Sequence, residues 1–317
     1  MRIANPIYDA VFKYLLTEDL RVAKIVISKL INKKVIDLQL NPTELIAEKK
    51  TPPFGSKESY TVMRMDFSAT IEKEDKSEEI IIVELQKAKL ISDVMRFRRY
   101  LGSTYMKREH RYRINGKIIA RPIYPIYILG HNLDGFNEEA IQIKRALFNA
   151  LTNQKLNKKS HFIDGLTHDG LVIQIPSVTE RIKQEEKDNK HPIINSELKK
   201  LLTIFDQSNY IDDDHHYIDI EDKNAPHWLK KIIRTLEKAA LEKEVRNRMI
   251  LEDDYIADLE DMERQIEEAN KQAKKDRIET EKEKKRAEKA DRRAKKADRR
   301  AEKAIQELAE LKANLKK

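Results

Sequence analysis

The sequence predicts an α/β fold, in which helices flank a sheet, followed by one long C-terminal helix. Two observations predict the sheet. Residues 62–71 alternate between apolar and polar side chains with the period of a strand, and residues 80–86 form an almost wholly apolar run, as in a buried central strand. A third observation predicts the helix, because neither glycine nor proline occurs from residue 250 onward.

The order of the elements follows from local patterns in the first part of the chain. Asn5-Pro6 predicts the start of a first helix, and apolar residues at helical spacing predict a second helix over residues 20–32. After the two strands, a helix is predicted over residues 91–111, and further strands over residues 122–129 and near 171–175. Along the chain this order is helix, helix, strand, strand, helix, strand.

Composition divides the chain into three zones. The 317 residues suffice for roughly two domains of about 150 residues each. Charged residues make up 37%, against about a quarter in an average globular protein, so a long solvated segment must accompany an ordinary domain. We predict an α/β domain over residues 1–180, a helical connector over 181–249 and a charged helix over 250–317.

The net charge of +8 is concentrated in the tail. Residues 271–317 carry 19 basic and 10 acidic side chains, a balance of +9, so the preceding 270 residues carry −1. The basic character therefore does not mark the domain itself as a nucleic-acid binder. The uncharged stretch over residues 122–133 is too short for a bilayer, and no signal peptide is expected. We expect a cytoplasmic protein without a membrane segment, and the absence of cysteine excludes disulfides, thiolate zinc sites and a cysteine nucleophile.

A heptad repeat runs through the tail, since small and apolar residues recur at alternating spacings of three and four. Its members are Leu259, Met262, Ile266, Ala269, Ala287, Ala290, Ala294, Ala297, Ala301, Ala304, Leu308, Leu311 and Leu315. This register predicts a coiled coil that joins copies of the chain into a homo-oligomer. Because alanine buries little apolar area, a single charged helix that stays monomeric is the alternative.

Asp66 and Glu84 interrupt the two apolar strands with carboxylates. The charged segment 72–79 predicts an antiparallel hairpin with its turn near Asp75, which would place position 66 opposite position 84. Glu84 and Gln86 share one strand face because they lie two residues apart. Such a group favours Mg²⁺ or Mn²⁺, which prefer oxygen ligands and promote phosphodiester hydrolysis. Alone, the pattern is also typical of solvated or paired charges at strand ends.

Four short segments over residues 1–180 follow one another in a recognisable order. They are Asp9-Ala-Val-Phe-Lys13, Arg64-Met-Asp66, Ile81-Ile-Val-Glu84-Leu-Gln86 and Met95-Arg-Phe-Arg-Arg-Tyr100. In this order and spacing the chain resembles the PD-(D/E)XK nuclease superfamily, and most closely its recombination-promoting nuclease / putative transposase family. The resemblance implies a restriction-endonuclease-like mixed sheet flanked by helices, and a metal-dependent DNA endonuclease activity.

The resemblance also implies roles for individual residues. Asp66 and Glu84 would hold Mg²⁺ or Mn²⁺ together with the backbone carbonyl of Leu85. Gln86 would occupy the catalytic position at which the superfamily has lysine. Because glutamine can hydrogen-bond a water but carries no charge, Lys13 of the first helix is a candidate for the missing cation.

Further candidates each have a plain structural alternative. Asp9 would be an accessory ligand, or equally a carboxylate that favours the dipole at a helix N-terminus. Lys87 lies on the opposite strand face from Gln86 and is a poor substitute for the family lysine. The candidates for DNA contact are Arg96, Arg98, Arg99 and Tyr100, which alternatively form an exposed cationic helix face with the tyrosine in the core.

The cluster Asp212-Asp-Asp-His215-His216 is dense in acidic and histidine side chains. It lacks a second pair at zinc-like spacing, so we expect a solvated loop there. Glycine-rich nucleotide-binding motifs are also absent from the sequence.

These observations predict a metal-dependent DNA endonuclease of a mobile-element or recombination-promoting type, assembled by its C-terminal coiled coil. The first alternative is a catalytically degenerate nuclease fold that binds DNA or drives assembly, and Gln86 keeps this alternative open. The second is a phage- or plasmid-type interaction protein organised by the coiled coil alone. The presence of both Asp66 and Glu84 favours the enzyme.

Overall fold

The computed structural model describes residues 1–41, 44–46, 62–64, 67–89, 93–114, 116–158, 160–187 and 197–314 of the chain. The strands are β1 (Arg2–Ala4), β2 (Val35–Leu40), β3 (Glu44–Ile46), β4 (Val62–Arg64), β5 (Phe67–Lys73), β6 (Glu78–Gln86), β7 (Arg111–Ile114), β8 (Lys117–Ala120), β9 (Ile123–Leu129), β10 (Ala140–Ile143), β11 (Leu147–Phe148), β12 (Lys155–Leu156), β13 (Gly170–Gln174) and β14 (Tyr217–Asp219). The α-helices are α1 (Asp9–Thr17), α2 (Leu20–Ile31), α3 (Asp93–Met106), α4 (His161–Leu166), α5 (Ile175–Lys187), α6 (Glu197–Leu202), α7 (His227–Leu241) and α8 (Lys243–Asn314). The predicted α/β fold with a long C-terminal helix is confirmed.

Among the described residues, six strands form a mixed sheet in the order β10-β13-β9-β6-β5-β2. β6 lies inside this sheet, parallel to β9 and antiparallel to β5, and β13 pairs parallel with β9. Both faces of such a strand are covered, which explains its nearly continuous apolar run. The β5–β6 ladder extends from Phe67↔Val83 to Glu72↔Glu78, so the predicted hairpin with its turn near Asp75 is confirmed.

The two faces of β6 pack against different layers. Its odd-numbered residues Ile81, Val83 and Leu85 belong to the main core, with apolar residues of α1, α2 and α7. Its even-numbered residues Ile80 and Ile82 belong to a smaller core with residues of α3 and β9. Near the end of the strand, odd-numbered side chains therefore face the α1 side and even-numbered side chains face the α3 side.

Two helices differ from the predicted ones. α1 begins at Asp9 and not at Asn5, because the Asn5 side chain is fully buried and donates hydrogen bonds to Gln207 and to the carbonyl of His215. α3 ends at Met106, and residues 111–114 instead form a hairpin with β8. At Asn5 long-range bonds outweigh the local helical pattern, and at residues 111–114 a local hairpin does so.

The predicted connector contributes to the core of the first domain. β14 pairs with β1, and α7 buries Leu229, Ile232, Ile233 and Leu236 in the main core. The first compact unit therefore extends over Met1–Ala257, and the predicted limits at residues 180 and 249 fall inside it. Residues 258–317 form the second unit. Among the described helices, none combines the length and the apolarity that crossing a bilayer requires.

Candidate active site

Glu84 places a carboxylate near the end of the central strand, on the face that α3 covers. The residue is 1% exposed, and Ile82, two positions before it, is equally buried. Its partner in the ladder is Tyr127 of β9. Burial raises the pKa of the Tyr127 phenol to about 12, and the negative charge of Glu84 acts in the same direction. An acidic side chain thus lies on the α3 side of the sheet, two residues before the buried Gln86.

Asp66, the predicted partner of Glu84, lies outside the described residues. The described part of the β5–β6 ladder ends at the pair Phe67↔Val83, and all its pairs keep one register. This register is the one that the sequence predicts for positions 66 and 84.

Gln86 is the last residue of β6 and is 4% exposed. Its side-chain oxygen accepts a hydrogen bond of 2.5 Å from Arg96 Nη2, and its Nε2 donates to the carbonyl of Ala88 at 2.8 Å. Both ends of the amide are engaged, so its orientation is fixed. Arg96 of α3 therefore brings a guanidinium to the position where the resemblance to the nuclease family leaves a cation missing.

α3 brings its four predicted DNA-contacting residues to different environments. Arg96 is half-buried beside Gln86, whereas Arg98 and Arg99 are exposed. Tyr100 is 3% exposed and belongs to the small core between α3 and β6. The prediction of a DNA contact for Tyr100 is therefore corrected, because its ring is packed away from the surface.

Gly130 shapes the end of the central strand. It follows β9 directly, and its N–H donates to the carbonyl of Gln86 at 2.7 Å. A Cβ atom at this position would lie 2.2 Å from the carbonyl oxygen of Lys87, where no side chain fits. Glycine therefore allows the chain after β9 to run against the end of β6, just beside the candidate site.

A second polar cluster lies on the other side of the sheet, near the start of α8. We call it the α8 anchor; it consists of Tyr8, Lys87, His216, Glu252 and Asp253. Lys87 forms an ion pair with Asp253, and its ammonium lies 3.6 Å from the centroid of the Tyr8 ring. Asp253 Oδ2 accepts from the Tyr8 hydroxyl at 3.1 Å and lies 2.8 Å from His216 Nε2.

The charges of the α8 anchor perturb one another. Burial raises the pKa of Glu252 to about 7, opposed by a hydrogen bond from the backbone N–H of Asp9. Burial also acts to raise the pKa of Asp253, but hydrogen bonds from Lys87 and His216 outweigh it, and the pKa is lowered. The sequence did not predict this cluster, because its members are distant in the chain and follow no spacing rule.

Asp9 and Lys13, the accessory candidates, lie one turn apart on α1. Lys13 Nζ is 2.7 Å from Asp9 Oδ2. The N–H of Asp9 donates to both carboxylate oxygens of Glu252, at 3.2 and 3.0 Å. These contacts connect the two candidates to each other and to the α8 anchor.

The acidic and histidine cluster of the sequence is partly gathered by its loop. Asp212, Asp214 and His216 bring one ligand atom each within 4.8 Å of one another. However, Asp212 accepts the backbone N–H of Tyr217 at 3.1 Å, and His216 already contacts Asp253. These bonds account for the shape of the loop, and the cluster on its own is a weak and non-specific metal site.

Comparisons with protein-family models, with curated proteins and with solved structures find no match for this chain. The functional argument therefore depends on the residues of the candidate site.

Proposed function

We propose that this protein is a metal-dependent DNA endonuclease of the PD-(D/E)XK type, in which Glu84 and Asp66 bind Mg²⁺ or Mn²⁺. One observation carries the proposal. Glu84 is a buried carboxylate near the end of the central strand, and the buried Gln86 follows it on the same face. A carboxylate and an amide are thereby brought to the same end of a central strand, where carboxylate oxygens can bind a divalent cation.

Glu84 would contribute carboxylate oxygen to the coordination of a divalent cation. Carboxylate and carbonyl oxygens are the ligands that Mg²⁺ and Mn²⁺ prefer, and the backbone carbonyl of Leu85 would supply one of them. Asp66 is our second carboxylate ligand, because it directly precedes Phe67, whose partner in β6 is Val83. The bound ion would activate a water molecule and polarise the scissile phosphate.

Arg96 supports this function although glutamine replaces the lysine of the superfamily pattern. Its guanidinium is bonded to Gln86 and carries a permanent charge near the end of β6. A cation held there would stabilise the negative charge that develops on the phosphate in the transition state. In this assignment Gln86 is a positioning residue, which aims Arg96 with an amide fixed by Ala88.

Surface cations would hold the DNA. Arg98 and Arg99 are exposed on the helix that carries Arg96, and guanidinium groups suit phosphate geometry. The tail, with its balance of +9, would add non-specific affinity that falls steeply with salt. Pairs within α8 such as Lys295–Asp291 reduce its effective charge. We also propose that the heptad repeat of α8 joins two copies of the chain.

The second candidate function is a DNA-binding or assembly module without cleavage. The observation that favours it is the double engagement of the Gln86 side chain, which already bonds Arg96 and the carbonyl of Ala88. An amide held in this way has its oxygen and one N–H occupied, and it orients no water as the family lysine would.

Plasmid cleavage separates the two functions. Supercoiled plasmid is incubated with the full chain in Mg²⁺, Mn²⁺, Ca²⁺ or EDTA, beside Glu84→Gln. We expect nicked or linear product in Mg²⁺ or Mn²⁺ only, and a loss of about 100-fold or more in Glu84→Gln. Binding of DNA without cleavage in any metal would favour the module.

Glu78→Gln is the matched control, because Glu78 lies on the same face at the other end of β6 and pairs with Arg121. It should cleave at the rate of the parent. Equal cleavage by Glu84→Gln and the parent would refute the assignment of the catalytic carboxylate.

A further inference from the structure

The helical tail exposes an apolar seam that α8 itself does not cover. Leu259, Met262 and Ile266 begin it, and Met262 and Ile266 are 49% and 61% exposed. Alanines continue it at Ala269, Ala273, Ala287, Ala290, Ala294, Ala297, Ala301 and Ala304. Three polar residues, Asp276, Thr280 and Glu283, occupy the seam between its two apolar parts. A seam at heptad spacing is buried only when a second helix lies along it.

Charges beside the seam distinguish the possible orientations of that second helix. Every second seam position forms a set spaced by seven residues, which includes Leu259, Ile266, Ala287 and Ala294. In a parallel, in-register pair, the residue before a member of this set lies near the residue five places further on in the partner helix. Three such pairs in this helix have opposite charge: Glu279 with Lys284, Arg286 with Asp291, and Arg293 with Asp298. The pair Asp258 with Glu263 has like charge. The two pairs that follow it along the helix begin with the uncharged Gln265 and Gln272, so they are neither attractive nor repulsive ion pairs. The parallel arrangement is therefore attractive along the alanine stretch.

An antiparallel pair brings together side chains of equal charge. If the alanine stretch lies on itself with Ala287 opposite Ala304, Arg293 faces Arg300 and Asp291 faces Asp298, against one pair of opposite charge, Arg286 with Glu307. If the alanine stretch lies on the acidic stretch 258–270 with Ile278 at the centre, Glu263 faces Asp291 of the other helix. Like charges beside a seam are unfavourable, so flanking charges disfavour both antiparallel registers.

The remaining charges of the alanine stretch point away from the seam. Between Ala287 and Ala304, the outward positions carry Lys289, Arg292, Lys295, Lys296, Arg299 and Lys303, with Glu288 and Glu302 as the only acids among them. Asp291 also forms an ion pair with Lys295 of its own helix, so an arginine of the partner helix would share this carboxylate, while the outer surface is strongly basic. Each copy would present that surface to a polyanion such as DNA.

We infer that a second copy of this chain covers the seam, in a parallel and in-register two-stranded coiled coil over residues 259–304. This inference deepens the self-association proposed above and is independent of the nuclease chemistry. Both first units then precede the same end of the coil, because each comes before residue 258 in its own chain.

Cysteine crosslinking tests the orientation, because the chain contains no cysteine of its own. Ile266→Cys and Ala290→Cys are prepared in the full chain, oxidised separately, and oxidised as a mixture in which one carries a mass tag. We expect covalent dimers in each separate sample and no crosslink between the two variants in the mixture. Positions 266 and 290 are about 36 Å apart along a helix, so a parallel pair cannot join them.

Arg292→Cys is the control for random collision, because position 292 faces outward in every heptad arrangement. It should crosslink far less than Ala290→Cys. Ala294→Cys is a further seam variant, in case the substitution at 266 or 290 disturbs the seam, and it should also form covalent dimers. Crosslinks in the mixture alone would establish an antiparallel pair and overturn the inference. Equal, low crosslinking of all variants, together with a monomeric mass in sedimentation, would overturn it as well. Neither result bears on plasmid cleavage by the first unit.

Discussion

The candidate active site and the α8 anchor lie on opposite faces of the sheet and draw on adjacent residues of the chain, yet they are built differently. Glu84 and Gln86 lie on the α3 side among apolar residues, with Arg96 as the cation bonded to the amide. Lys87 points the other way, to Tyr8 and Asp253. In the anchor, Asp253 contacts Lys87, Tyr8 and His216, whereas Glu84 is a carboxylate that is 1% exposed on the α3 side, two residues before Gln86.

We propose that the α8 anchor has a structural role and that Glu84 has a functional one. A network of mutually bonded charges contributes stability and a defined geometry, and here it fixes the beginning of α8 to α1 and β6. The carboxylate of Glu84 would instead be a ligand of a divalent cation. Substitutions at the two places should therefore affect different measurements.

The largest expected effect is on cleavage. Glu84→Gln should lower the rate of plasmid cleavage in Mg²⁺ by about 100-fold or more, because the metal loses a charged ligand. The free energy of unfolding should change little by comparison, since glutamine keeps the size and shape of the side chain. Chemical denaturation and cleavage, measured on one preparation, check both parts. A loss of activity that follows only from unfolding would remove the distinction between the two regions.

A smaller effect is expected at the cation. Arg96→Met should lower the rate of cleavage by about 10- to 100-fold, because the negative charge that develops on the phosphate in the transition state would lose the guanidinium that stabilises it. Arg98→Met is the matched control on an exposed turn of the same helix and should change mainly the salt dependence of DNA binding. Cleavage rates measured at saturating DNA distinguish the two variants, because weaker DNA binding no longer affects the rate there. Equal rates for both variants would show that Arg96 does not act at the site.

A substitution in the α8 anchor should lower the stability of the protein and leave its cleavage activity nearly unchanged. Asp253→Asn removes the charge that pairs with Lys87 and should lower the free energy of unfolding by about 1–3 kcal/mol. Cleavage per folded molecule should stay within about twofold of the parent, because the substitution lies on the other face. Urea denaturation measures the first quantity. A variant that is as stable as the parent but inactive would place the anchor within the catalytic machinery.

The smallest effect concerns pH. The Glu252 carboxyl ordinarily titrates near 4.5, and in the folded protein burial raises its pKa to about 7. Between these values the folded state holds the proton that the unfolded state has lost, so stability should fall as pH rises from about 4.5 to about 7. Glu252→Gln should flatten that fall in thermal unfolding curves recorded in EDTA. An unchanged slope in the variant would assign the pH dependence to other groups.

The sequence predicts the sheet better than its surroundings. Alternation in β5, the apolar run of β6 and the charged turn near Asp75 are local signals, and together they specify the hairpin register that the structure shows. The role of α7 in the core was missed because a helix with one apolar face fits a connector as well as a core. The start of α1 was misplaced because Asn5 bonds to residues more than 200 positions away.

The candidate site shows the same limit. The parity of Glu84, Gln86 and Lys87 follows from strand geometry, and the structure places them accordingly. The contact of Arg96 with Gln86 depends on how α3 is rotated over the sheet. The segment Arg96-Phe-Arg-Arg-Tyr100 does not specify this rotation, because cationic and aromatic residues occur on every side of the helix. Helical spacing alone does not assign Arg96, Arg98, Arg99 and Tyr100 to one surface, and the structure divides them among the site, the solvent and the core.

Binding of Mn²⁺ tests the central claim most directly, because it requires neither DNA nor turnover. Free Mn²⁺ is measured by electron paramagnetic resonance during titration of the parent, Glu84→Gln, Glu78→Gln and Asp212→Asn. We expect the parent, Glu78→Gln and Asp212→Asn to bind the ion equally, and Glu84→Gln to lose that binding. Binding that persists in Glu84→Gln and disappears in Asp212→Asn would move the metal to the loop of Asp212, Asp214 and His216 and contradict this account.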